Sequence, residues 1–414
     1  MEATIYTDVV IVGGGASGVA AAVAASGKGV NVILVERNLF LGGKATAAEV
    51  GTVCGLYKFS KNTQTAYISK GFAKTFGEEL RKRSHTSPMC NSCGLHYLPY
   101  EIEVFKNICH ELLTGNKVEA YFNSILKKVE ISNDHIESIS IQTGDKTLKI
   151  FLKSIIDCSG EGAVSVLANL PLIKSKNFQA AAQVFTLQNI GEVTEASLGM
   201  ILKKELQSAI DEKKLEDHYD RVYIVPGSLK DHRVSLKIGI PVAVTNTPEN
   251  LAELKRSALN FAQTLTSYLI QHLTVFKNAS MLNMAPEVGV RVGARSSGVY
   301  ILTEEDVLSC KKTEDAIARA SWPIEEWEQN KRVKMRYFRL DDFYSIPAGC
   351  LQSRTIKNLF MAGRNISATD GAIASARVIG TCLQTGYAAG LFAAGIVLNI
   401  SINEMIKIIQ TRQL

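Results

Sequence analysis

Asp8–Gly18 reads DVVIVGGGASG, and Asn31–Arg37 reads NVILVER. The first run is a short apolar, β-branched strand that breaks into Gly13, Gly15 and Gly18 in G-x-G-x-x-G positions. Small residues from Val19 to Ser26 predict a helix. The second apolar strand, Asn31 to Val35, ends in Glu36, eighteen residues after Gly18. Strand, glycine turn, helix, strand and acid together make a dinucleotide-binding unit. Gly13 allows the sharp turn, Gly15 allows a pyrophosphate to approach the backbone, and Gly18 allows the helix to lie against the sheet. The helix start offers free amides and a positive dipole end to phosphate. The Glu36 carboxylate suits the two ribose hydroxyls and repels a 2′-phosphate.

A second glycine pair follows, in Leu39-Phe40-Leu41-Gly42-Gly43-Lys44-Ala45-Thr46. A nicotinamide dinucleotide does not need it, but the longer body of FAD does. On these residues the chain resembles the glutathione-reductase-like FAD superfamily. It is most similar there to a family of FAD-dependent oxidoreductases that includes "xanthan lyase-like" flavoproteins. The likeness runs to the C-terminus. Ile155–Gly162 (IIDCSGEG) resembles the family's V-D-A-T-G-D-G turn, and Gly289–Leu308 resembles its arginine-rich segment ending in L-T-E-E-D-V. Asn358–Gly390 resembles its flavin-binding block, A-G-R-x-I-S-A-T-H through T-C-x-x-x-G-x-A-A-G. Two family histidines are replaced, by Asp370 and Ile373.

The resemblance implies FAD as cofactor and an α/β fold. It comprises a Rossmann-like, three-layer FAD-binding domain, with a parallel central sheet plus β-meander, and an inserted α+β substrate domain. The implied FAD domain takes residues 1–50, 101–169 and 346–414. Residues 51–100 form an irregular active-site loop region, and 170–345 the substrate domain. Implied cofactor-binding residues are Gly13, Gly15, Ala16, Ser17, Gly18, Glu36, Arg37, Gly42, Gly43, Lys44, Ala45, Ile125, Ser159, Gly160, Gly363 and Arg364. Gly380, Thr381 and Cys382 complete the set, at a helix start expected to face the flavin N1/O2 edge, where negative charge builds on reduction.

Arg377, in Arg377-Val378-Ile379-Gly380, occupies a place similar to the substrate arginine of fumarate reductase and succinate dehydrogenase flavoproteins. A guanidinium donates two parallel hydrogen bonds to a carboxylate. The alternative is a structural ion pair to Asp370 or Glu287. Arg291 and Arg295 are four apart, as are Glu287 and Arg291; on a helix they would share one face, with Glu287 as the acid to pair, whereas the family resemblance implies an active-site floor. Asp370, His96 and Tyr344 are candidate proton carriers, each with a structural alternative.

The rest of the chain limits the function classes. It has 414 residues, 46% apolar and 21% charged, which suits two joined globular domains. The net charge of +6, from 46 basic and 40 acidic residues, is not gathered in a basic-aromatic tract. Nucleic acid is therefore not an expected partner, and no metal site is expected. Cys90 and Cys93 form a lone C-x-x-C without zinc spacing, so loop thiols are expected. The eight cysteines read as reduced and the chain as cytoplasmic, without a leader or a membrane span; the apolar run Tyr387–Ile400 is expected to be too short.

No second strand-linked G-x-G-x-x-G follows residue 150, so the organic substrate itself is expected to exchange hydride with the flavin. Oxygen, a quinone or a protein partner would then be the electron acceptor. Two alternatives stay open: a non-catalytic binding module on this fold, and a flavin-dependent tRNA-modifying enzyme.

Overall fold

The computed structural model describes residues 3–173, 175, 178–245, 247–328 and 333–414. Residues 174, 176, 177, 246 and 329–332 of the expected substrate domain lie outside them. The first unit forms β1 (Val9–Val12), α1 (Ala16–Ser26) and β2 (Val32–Val35). These join β3 (Glu119–Tyr121), β4 (Ser154–Asp157) and β5 (Leu359–Met361) in a parallel sheet of order β5-β4-β1-β2-β3. Strands buried on both faces read as unbroken apolar runs, as VVIV and VILV do.

Alternate residues of β1 serve different layers. Val9 and Ile11 pack against α1 and α2 (Ile379–Leu398), while Val10 and Val12 face Leu126, Ile139, Ile141 and Ile150. The latter belong to an antiparallel meander of Ser124–Ser132, His135–Thr143 and Lys146–Phe151. Helices, parallel sheet and meander are the three layers. The N-terminal strand Ala3–Tyr6 adds a parallel edge to the meander.

α1 and α2 pack almost backbone to backbone. A Cβ on Gly386 would stand 2.1 Å from the Ser17 carbonyl oxygen, so no larger residue fits there without movement. α2 has 20 residues and a mean hydropathy of 1.4, long and apolar enough by itself to cross a bilayer. The expectation from Tyr387–Ile400 was too short, but 78% of the apolar window is buried inside the fold. Asn399, in a left-handed conformation, ends the helix.

A second core lies in a four-stranded antiparallel sheet of order Val222–Ile224, Arg233–Gly239, Ala182–Gln188, Ser280–Met284. Val234, Leu236 and Ile238 alternate inward against the helices Glu195–Asp211 and Pro248–His272. The apolar run continues to Val244, but the strand stops at Gly239. The helix Pro248–His272 begins where the Thr247 hydroxyl accepts from the Asn250 amide and Pro248 starts the first turn. The region 51–100, read as irregular, contains the strands Thr52–Cys54, Met89–Cys90 and His96–Pro99 and the helix Phe72–Arg83. Short strands interrupted by polar residues leave little periodicity to read.

Candidate active site

Two adjoining cavities of about 300 and 210 Å³ lie between the parallel sheet and the four-stranded antiparallel sheet. They share Lys44, Ala45, Arg364, Arg377 and Ile379, so they form one cleft with two chambers.

The larger chamber is built on the N-terminal unit. Gly15 caps α1 without a side chain, and no acid occupies the first turn. A Cβ on Gly15 would meet nothing nearer than Gly43 Cα at 3.7 Å, so open space lies over the turn. On Gly18 the same atom would stand 1.8 Å from the Gly13 carbonyl oxygen, which binds the helix start to the turn. Gly42 continues the floor, its amide donating to the Gly14 carbonyl at 2.9 Å. Glu36 is nearly buried, yet its carboxylate lines the chamber. It accepts from the Gly14 and Asn38 amides at 2.6 and 2.8 Å. Burial raises its pKa against those two bonds.

The lining also holds Gly13, Ala16, Ser17, Arg37, Gly43, Ile125, Ser159, Gly160 and Cys382 of the expected set. Gly363 lies behind Ser17, its missing Cβ space 2.5 Å from that hydroxyl. Charges here are largely self-neutralised. Glu287 accepts from Lys44 at 2.5 Å, Asn38 at 3.0 Å and Arg37 at 3.2 Å. Burial opposes its charge, but Lys44 and Arg37 bring its pKa down to about 2. Arg37 also meets Glu161 at 3.4 Å. An open glycine cradle, helix amides and a ribose-type acceptor fit the adenosine and pyrophosphate of FAD.

Gly380 and Thr381 are placed differently from expectation. A Cβ on Gly380 would stand 2.4 Å from Gly55 C, and neither residue appears in the chamber linings. Ile379 and Cys382 face the cleft in their place. The chain at Gly55–Leu56 covers the start of α2. Thr381 Oγ1 is buried there without a hydrogen-bond partner.

The smaller chamber has a different chemistry. Arg377 lies here, donating to Gln179 Oε1 and the Glu325 carbonyl, both at 3.2 Å, while its Nε is buried without a partner. It pairs with neither Asp370 nor Glu287. Arg291 donates to the Ala180 carbonyl and stacks on Trp327, 4.2 Å from the ring centre. Lys237 faces the same ring and Tyr223. The acid in this lining is Glu325, gripped by the Trp322 and Trp327 indole N–H groups at 2.9 and 2.8 Å. Burial opposes its charge, but Arg377, the Trp322 bond, Lys237 and Arg291 hold its pKa below the ordinary range.

Four residues expected at the active site, Arg295, Asp370, Tyr344 and His96, line neither chamber. Arg295 is fully buried, donating to the Ala368 carbonyl at 2.8 Å, Ser175 Oγ at 2.9 Å and Asp370 at 2.5 Å. Its charge is answered by Asp370, and neither residue lines a chamber. Arg291 and Arg295 do not share a helix face, because residues 288–294 have no helical turns. Tyr344 is buried with its hydroxyl on Ser375 Oγ at 2.6 Å. His96 has both ring nitrogens in contacts, with Thr65 Oγ1 at 3.1 Å and the Ser60 carbonyl at 3.0 Å. Cys90 and Cys93 are exposed free thiols.

Lys237, Glu325, Trp327 and Cys54 line the second chamber and were not singled out from sequence. Lys237 reads as one polar member of an alternating strand. The spacing Trp322-x-x-Glu325-x-Trp327, holding both tryptophans of the chain, was the available signal.

Among solved structures, the chain is similar to OxyS anhydrotetracycline hydroxylase from Streptomyces rimosus. The TM-score is 0.50 and the identity 10%, over 98% of this chain and 65% of that one. It also matches a geranylgeranyl bacteriochlorophyll reductase-like protein from Thermoplasma acidophilum, at TM-score 0.48 and 12% identity, over 99% and 83%. At 10% identity the likeness to the hydroxylase is one of fold. A search of curated protein sequences gave no significant match. The model of the FAD-dependent oxidoreductase family matches residues 8–410. The chain, whose glycine cradle and acid fit that cofactor, therefore belongs to the FAD-dependent oxidoreductases.

Proposed function

We propose that this flavoenzyme exchanges a hydride with a small organic anion bound in the second chamber. The carrying observation is charge. Lys237, Arg291, Arg364 and Arg377 line that chamber against Glu325 alone, since Lys44 is paired with Glu287. Uncompensated cations in a buried cavity favour an anionic occupant, because low local polarisability strengthens the attraction. Arg377 and Arg291 would hold its carboxylate or other oxyanion, with Trp327 as an apolar wall.

In the first chamber Gly13, Gly15, Ala16, Ser17, Gly18, Gly42, Gly43, Lys44 and Ala45 would hold the pyrophosphate region. Glu36 would hold the adenosine ribose, beside Arg37 and Ile125. Ser159, Gly160, Gly363, Arg364 and Cys382 would line the path toward the flavin. Bound FAD supplies the two-electron redox chemistry. The protein's share is to orient the anion, shield it from water and handle the companion proton. The electron acceptor would be oxygen, a quinone or a protein partner.

Anaerobic bleaching of the flavin tests this against hydroxy acids, amino acids, polyketide-like acids and neutral sugars. Acidic compounds should bleach it, and raised concentrations of inert anions should slow them. Bleaching by neutral sugars alone would sink the anionic reading.

A further inference from the structure

We infer that Lys237 carries the proton that accompanies hydride transfer in the second chamber; this rests on the functional reading above. Register places it there. Lys237 pairs with Val184 on one side and Tyr223 on the other, so these three side chains stand on one face of the sheet. Leu236 and Ile238, its neighbours along the strand, point to the opposite face and the helical core. The ammonium lies 4.9 Å from the Trp327 ring centre and 5.6 Å from that of Tyr223. Among the described residues it has no hydrogen-bond or ion-pair partner. A lysine placed for stability would be expected to meet a carboxylate, and Glu325 is already held by two indoles.

Elimination supports the assignment. The groups facing Lys237 are Arg291, Glu325, Cys54, Arg377 and Tyr223. Guanidinium groups do not give up protons in this range. Glu325 is kept ionised, which makes it a weak base. Burial pushes the Cys54 thiol up to about 12. Lys44 is engaged by Glu287. Burial lowers Lys44, Arg291 and Arg377 as well. Lys237, with burial, Arg291 and Arg377 against Glu325 and Cys54, is an amine without an ion-pair partner and is brought down to about 8.

For a hydroxy acid the step balances as follows. The substrate C–H bond breaks with its electron pair passing to the flavin. The O–H bond breaks with its proton passing to neutral Lys237 Nζ, and the carbon–oxygen double bond forms. In the reductive direction the ammonium returns the proton.

Both tryptophans of the chain touch Glu325, so their fluorescence reports the occupancy of this chamber. Oxalate is titrated into the holoenzyme from pH 6.5 to 10. Affinity should fall about tenfold as Lys237 loses its charge, a change of one ion pair. That pH step should vanish in Lys237→Met and in Lys237→Arg, while Lys237→Arg keeps the tighter binding. Stopped-flow bleaching with a hydroxy acid should rise with pH through about 8 and fall ~10²-fold in both variants, with methylamine partly restoring Lys237→Met. Wild-type rates and an unchanged pH profile in Lys237→Arg or Lys237→Met would overturn the assignment while leaving the chamber reading intact. Absence of both oxalate binding and bleaching by any acid would remove the chamber reading, and this inference with it.

Discussion

The two chambers of the cleft contrast in how they are assembled and in how their charge is balanced. The nucleotide chamber is built chiefly from contiguous chain, Gly13 to Ala45, and its ions meet within the protein: Glu287 with Lys44 and Arg37, Arg37 with Glu161. The second chamber draws on Cys54, Val184, Lys237, Arg291, Glu325 and Arg377, from six distant segments, and leaves cations in excess. A cofactor that stays bound is served by a site already stable in itself. A substrate that must come and go is served by charge that only the ligand completes. The contrast locates specificity in the second chamber and retention in the first.

The largest expected effect breaks the first chamber alone. Gly15→Val should abolish FAD binding, because the new side chain fills the open space over the turn, where Gly43 Cα is the nearest atom. The apoprotein should still melt cooperatively, since no packed group is displaced. Release of FAD on gel filtration, with far-UV dichroism preserved, checks this; unfolding would show that the space belongs to the core. Next comes the second chamber. Arg377→Lys should keep the flavin spectrum but lose about 2–4 kcal/mol of transition-state stabilisation, or ~10²–10³-fold in kcat/KM. Flavin reduction unchanged in Arg377→Ala would pass the anchoring role to Arg291.

The smallest effect sharpens the electrostatic side of the contrast. Glu287 has its pKa depressed to about 2, so its stabilising contribution is complete above the ordinary carboxylate range. It should be lost as pH falls from about 5 toward about 2, costing about 2 kcal/mol overall. Urea midpoints measured across that window should decline less in Glu287→Gln, which starts lower because Lys44 and Arg37 lose their partner. An equal decline in both proteins would place the acid sensitivity elsewhere.

Local chemistry made the first chamber legible. Glycines at fixed offsets, apolar runs of strand length and an acid at the second strand end act within fifty residues, so the sequence by itself determined the parallel unit, its turn and Glu36. The C-terminal block likewise announced Arg377 and the small-residue helix α2. Tertiary structure alone decided which charges are spent. Arg295 and Asp370, 75 residues apart, neutralise each other in the core, whereas Arg377 escapes both of its expected partners. It also decided that Gly55 covers Gly380, and that Lys237 shares a sheet face with Val184 and Tyr223 over the cleft. A strand's alternation shows that Lys237 and Leu236 face opposite ways, but not which face meets the helical core and which lines the cleft. That choice depends on long-range pairing, where burial and partner charges set the chemistry of each side chain.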